Sequence, residues 1–122
     1  MKAVLAFISM LSLAACATVD SPSRARQLVG SWRYADPVQS CQYSFASDGS
    51  FTGEVKLRAK LISKFKGRWS IHGQTLLYSY ASDALGRIPA GATDRDQLLE
   101  IKKDSFVIEA ANGDLRRYMR MR

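Results

Sequence analysis

The 122-residue chain is 47% apolar and 24% charged, with a formal net charge of +7, two cysteines and a single histidine. A chain of that size buries one core and has little room for a second, which excludes a multidomain machine. The lone histidine, His72, has no second histidine or cysteine set with which to build a metal centre, and the excess of cations favours polyanionic neighbours such as phospholipid head groups, lipopolysaccharide or acidic protein surfaces.

Lys2 precedes a stretch, Ala3 to Leu13, that is almost wholly apolar and ends in the small residues Ala14 and Ala15. About ten apolar residues behind one cation read as a secretory signal peptide, because a membrane span needs about twenty. Leu13-Ala14-Ala15-Cys16 resembles the cleavage site of bacterial lipoproteins. The resemblance implies diacylation of the Cys16 thiol, removal of residues 1–15 and acylation of the new amino terminus. Each buried methylene contributes roughly 0.8 kcal/mol, so several acyl chains on one residue hold a small domain to a bilayer almost permanently. The membrane is therefore one expected partner. Ala17 stands where an aspartate retains many lipoproteins in the inner membrane, which by the same resemblance favours the periplasmic leaflet of the outer membrane. Nucleic acid would suit the charge but is not what an exported, tethered protein meets. Loss of Lys2 with the leader leaves a net charge of about +6. With Cys16 lipidated, Cys41 has no partner; it shares the parity of Tyr43 and Phe45 and is expected as a buried free thiol.

Ala17 to Arg26 is small and polar and reads as a tether, with at most a helical turn from Ser23 to Leu28. This divides the chain into a leader (1–15), a lipidated tether (16–26) and a folded domain (27–122). The domain shows eight alternating runs: Val29–Tyr34, Cys41–Phe45, Phe51–Leu61, Phe65–His72, Gln74–Ser82, Gln97–Lys102, Ser105–Ala110 and Leu115–Met121. Ser47-Asp48-Gly49-Ser50, His72-Gly73 and Asn112-Gly113 are tight-turn sequences, so consecutive runs should pair antiparallel. Eight short strands avoid sticky edges by closing, which predicts an all-β, up-and-down barrel. The one long connection, Asp83 to Arg95, has the length of a lid or binding loop.

Gly30-Ser31-Trp32 opens the first run, and here the chain resembles the lipocalin-like (calycin) proteins. In that family a Gly-X-Trp begins the first barrel strand, its tryptophan plugs the barrel floor, and an arginine from the last strand packs over it. The resemblance assigns the plug to Trp32. Leu115, Met119 and Met121 share one parity with Arg117, which makes Arg117 the expected covering cation. Gly67-Arg68-Trp69 repeats the triplet on the fourth run. The chain is shorter than full-length lipocalins and has no clear helix after the barrel, and large residues such as Phe45, Phe51, Phe65, Trp69 and Tyr78 could fill the interior.

A second constellation is electrostatic. Lys56, Arg58, Lys60, Lys64, Lys66 and Arg68 alternate with apolar residues through the third and fourth runs, which places all six on the outer face of one hairpin turning near Ile62-Ser63. Opposed like charges destabilise a sheet, so such a patch suits an anionic surface, although lysine also serves simply to keep an exterior soluble. Catalysis finds no support: His72 sits at a turn, no serine lies in a nucleophile elbow, and no glycine cluster forms a phosphate cradle. Asp83, Asp94 and Asp96 gather around the long loop as a weak calcium candidate. No cofactor, metal or catalytic residue is assigned. Two functions remain. One is a non-enzymatic lipoprotein gripping a small apolar or lipid ligand at a barrel mouth formed by Tyr78, Tyr80, Leu85 and Ile88. The other is a solid barrel docking on an envelope polyanion or a partner protein through its basic hairpin.

Overall fold

Alternation of large apolar with polar side chains builds eight strands in a computed structural model that describes residues 21–122. They are β1 (Gly30–Ala35), β2 (Gln39–Phe45), β3 (Ser50–Leu57), β4 (Lys60–His72), β5 (Thr75–Asp83), β6 (Thr93–Ile101), β7 (Ser105–Glu109) and β8 (Leu115–Arg120). Each pairs antiparallel with the next and β8 returns to β1, so the sheet is a closed up-and-down barrel with no free edge. The expected leader, Cys16 and residues 17–20 lie outside the described residues.

Three boundaries differ from the sequence expectation. The segment expected as a tether to Arg26 is helical over residues 21–28, longer than the turn anticipated from Ser23; its Leu28 is fully buried and Ala25 packs against the core, and this burial is what orders it. The β3–β4 hairpin turns at Arg58-Ala59, both with positive φ (49° and 68°), and not near Ile62-Ser63. A bulge between Val55 and Lys56 lets Val55 pair with Ser63 while Lys56 pairs with Leu61. The bulge shifts the alternation that placed the turn four residues too late. The strand after the long loop begins at Thr93, so that loop is shorter than expected.

The end of the barrel bearing the helix is closed by stacked rings. Trp32 is fully buried, meets Phe106 edge-on at 4.9 Å, and Phe106 stacks flat on Tyr118 at 4.7 Å. Arg120 covers Trp32, its guanidinium 4.1 Å from the ring centre. Its Nη1 donates to the Val29 carbonyl (3.0 Å), Nη2 to Gln27 (3.0 Å) and Nε to Lys103 (2.7 Å). Trp32 Nε1 donates to the Leu28 carbonyl at 2.8 Å, so the orphan acceptors ending the helix are met by the two floor residues. Gly30 supplies the space: it has φ of 135°, and a Cβ there would collide with the Arg120 guanidinium.

The covering cation is therefore Arg120, and the assignment to Arg117 is corrected. Arg117 stands outside, its side chain 54% exposed, within 3.5 Å of Glu100 and donating to Ser105 Oγ at 3.3 Å. Parity failed because the Leu and Met residues of β8 face solvent, Leu115 65% and Met119 51% exposed, while Arg116, Tyr118 and Arg120 take the inner face. A stacked aromatic and a fully bonded guanidinium fill the lumen better than flexible thioethers do. Arg120→Ala is expected to lower unfolding stability by about 2–4 kcal/mol, since it strands three carbonyls and uncovers an indole. Arg117→Ala should cost less than about 1 kcal/mol. Urea unfolding of the two variants checks this ordering.

Candidate functional site

Opposite the floor, the barrel ends in the links β1–β2, β3–β4, β5–β6 and β7–β8. All five tyrosines of the chain point into the lumen on the way to this end. Tyr43 occupies the middle, its ring within 5.5–6.4 Å of Phe51, Phe45, Phe65, Tyr78 and Tyr118. Gly53 makes that possible, because a Cβ there would run into Tyr43 and Phe65. Tyr43 divides the interior. Below it the core is tightly closed, with Leu28, Leu76, Leu98 and Ile108 essentially without exposure. At its own level and above, Tyr43, Tyr34, Val55, Ile88, Asp96 and Arg116 are half-buried, beside the buried Cys41, Ser63 and Tyr80.

The inward-facing groups at this end are both aromatic and charged. Tyr78 donates to Asp96 Oδ2 at 3.0 Å. Arg116 lies over the Tyr34 ring at 5.7 Å, within 3.7 Å of Asp114. Tyr34 donates to Asp36 Oδ2 at 2.7 Å on the rim. Burial holds the Tyr78 and Tyr43 hydroxyls well above the ordinary phenol range, and it raises those of Tyr80 and Tyr118 and the Cys41 thiol as well. The same cause lifts Asp96 to about 6, with the neighbouring Asp94 adding to it and the Tyr78 hydroxyl opposing.

Of the four mouth residues expected from the sequence, Tyr78 and Tyr80 are buried in the core, Ile88 packs against it, and Leu85 is 45% exposed on the loop. Asp96, Arg116, Tyr34 and Tyr43 were missed as site residues. Their signal was inward parity, which Asp96 shares with Leu98 and Arg116 with Tyr118.

The loop at the rim is braced. The Asp83 carboxylate accepts five hydrogen bonds, from Ser63 Oγ (2.6 Å) and from the backbone amides of Lys64 (3.0 Å), Leu85 (3.0 Å), Arg87 (3.1 Å) and Ile88 (3.1 Å). These donors, Ser63 first, hold its carboxyl far below the usual range. Asp83 is thus an internal latch, while Asp96 is committed to Tyr78, so these carboxylates do not converge as a calcium candidate would need.

The basic hairpin is also partly rearranged. Lys64, Lys66 and Arg68 stand exposed on the outer face of β4, opposite Glu54, Thr52 and Ser50 of β3. Lys56 is exposed at the end of β3 and Lys60 at the start of β4, but Arg58 sits in the turn itself and not on a strand face. Arg68 Nη2 donates to the Asp48 carbonyl at 2.9 Å.

Two outcomes are expected. A carboxyl with a raised folded pKa holds a proton between about pH 4 and 6 that the unfolded chain has already released, so it adds stability as pH falls through that window. Asp96→Asn should therefore melt higher than the parent at pH 7, with the gap closing towards pH 4.5, as read by thermal denaturation. Asp83→Ala should free the loop, speeding exchange of the Leu85, Arg87 and Ile88 amides about 10-fold or more in hydrogen exchange.

Neither a family model nor a curated protein matches the sequence. Solved structures do. A crystal structure of a lipocalin-like protein from Bacteroides uniformis superposes with a TM-score of 0.57 at 18% identity, covering 78% of this chain and 99% of that one. A protein from the same organism solved by NMR gives a TM-score of 0.56 at 17% identity, covering 79% and 90%. The eight-strand order, the Gly-X-Trp floor and these neighbours together show that the chain folds as a lipocalin-like barrel.

Proposed function

We propose that this protein is a non-enzymatic, lipid-anchored binding barrel of the bacterial cell envelope, facing the periplasm, which takes a small amphipathic molecule at its mouth. The observation that carries this is the contrast between a closed floor and an opposite end where the inward-facing Tyr43, Tyr34, Asp96 and Arg116 are only half-buried. An apolar ligand or lipid chain lies against the rings of Tyr43 and Tyr80 and the aliphatic side chain of Ile88, and its polar end meets Asp96, Arg116 and the tyrosine hydroxyls. Such a site is mostly apolar with a few convergent polar groups, the usual composition of a small-molecule pocket. The braced loop reduces the ordering that binding requires. The lipid anchor rests on the Leu13-Ala14-Ala15-Cys16 resemblance.

The basic hairpin supports a second reading, docking on an anionic envelope surface, because its cations stand exposed with Glu54 the one acid across from them.

Native mass spectrometry of the purified chain from residue 16 with Cys16→Ser should show a co-purified small molecule, and the fluorescent probe 1-anilinonaphthalene-8-sulfonate should bind at the mouth. Val55→Trp, which would fill the proposed mouth, should abolish both without lowering the melting temperature by more than a few degrees, and Arg116→Gln should weaken retention of the co-purified molecule. An empty parent that also ignores the probe would sink the ligand reading. In cells, Cys16→Ser should abolish palmitate incorporation and release the protein from the membrane fraction; unchanged labelling defeats the anchor.

A further inference from the structure

Positive charge is distributed unevenly around the barrel. On the β6–β8 side four cations have acidic partners: Lys102 and Arg117 share Glu100, Arg116 approaches Asp114, and Arg122 pairs with Asp104. On the β3–β4 hairpin, Lys56, Lys60, Lys64 and Lys66 form no ion pair among the described residues. Across from Lys66 and Arg68 stand only Thr52 and Ser50 on one side and Ser82 and Ser79 on the other. Asp83, beside Lys64, is saturated by its own five donors, and Asp48, whose carbonyl accepts from Arg68, has its carboxylate bonded by Ser50. The stripe continues into the turn, where Arg58 and Ala59 hold a left-handed backbone that Asn-Gly would adopt more easily. Leu57 is exposed beside it. The sequence thus keeps a cation where stability alone favours a different pair.

The start of the described chain lies at the other end of the same stripe. Ser21 Oγ accepts from the backbone amide of Gly73 at 3.0 Å, one residue beyond the last residue of β4. The described chain therefore starts where β4 ends, and a stretch of five residues, the number from Cys16 to this point, spans at most about 18 Å. A lipid on Cys16 would hold that end of β4 close to the bilayer.

We propose that the outer face of β4 lies along an anionic bilayer, the one that carries the Cys16 lipid, with Lys64, Lys66 and Arg68 on phosphate head groups and the Arg58 turn at the far end. The barrel then rests on its side, and its mouth opens along the membrane plane. This rests on the lipid-anchor and docking readings above and adds the partner's chemistry and the orientation. A bilayer fits better than a folded partner. The cations are strung in a line along one strand among small hydroxyl side chains, which suits a continuous sheet of charge, and the tether keeps that sheet at high effective concentration.

The test is sedimentation of the chain from residue 16, carrying Cys16→Ser, with vesicles of phosphatidylcholine alone or mixed with phosphatidylglycerol. Binding should require phosphatidylglycerol and fall steeply with salt. Lys64→Gln/Lys66→Gln/Arg68→Gln should weaken partitioning on the order of 100-fold, each cation contributing about fivefold. Lys102→Gln/Lys103→Gln/Arg117→Gln removes the same net charge from the other side and should weaken it no more than about threefold. Arg58→Asn/Ala59→Gly should raise the melting temperature while weakening partitioning severalfold, which separates a binding role from a structural one. Equal losses for the two triple variants, or binding indifferent to phosphatidylglycerol, overturn the proposal. Salt-sensitive binding to dextran sulfate through the same hairpin, without vesicle binding, keeps the docking reading and defeats the bilayer. Failure of both defeats the two together.

Discussion

The Arg120 guanidinium over Trp32 sits where every other constraint on this barrel meets. Trp32 lies near the start of the first strand and Arg120 ends the last, and their register pair, with Arg33 and Met119, is the seam that turns a sheet into a barrel. A guanidinium on the inner face would be costly if left unpaired. Here one cation meets the carbonyls of Gln27, Val29 and Lys103 and the face of an indole, so the desolvation is offset by bonds that nothing else in the sequence could make. The glycine of Gly30-Ser31-Trp32 follows from this: any side chain there displaces the cation. The helix does too, since its last carbonyls are terminated by the same two side chains.

Closing one end so completely frees the other to be polar. Below Tyr43 the interior is a packed stack of rings and aliphatic groups; above it, hydroxyls, a carboxylate and a guanidinium share the lumen. Buried polar groups are tolerated there because each has a partner or a path to water, and no buried side-chain nitrogen or oxygen among the described residues lacks one. The Asp83 latch extends this order to the rim, where it pins the loop backbone.

Much of the architecture was legible because period-two alternation in Cys41–Phe45, Phe65–His72 and Ser105–Ala110 is strong, and because Gly49, Gly73 and Gly113 mark turns by their positive φ. Reading failed where alternation is broken or misleading. The bulge at Val55 moved a turn by four residues. In β8 the apolar residues face outward and the arginines share the inner face with Tyr118, so a hydrophobicity pattern picks the wrong cation. At the mouth, Tyr78 and Tyr80 announce themselves as aromatics, whereas Asp96 and Arg116 look like surface charges until the closed barrel turns them inward. Local sequence carries a residue's parity, but not whether a neighbour across the lumen will satisfy it.

The closing seam joins residues about ninety positions apart, with Arg120 bonded to Val29 and Gln27. Contacts of such separation form late, because the intervening chain must first be ordered. A chain emerging from a ribosome amino terminus first cannot shut its barrel until Arg120 is through. Until then it is a curling meander with its last hinge unfastened, pliable because the distant contact that later makes it rigid has yet to form.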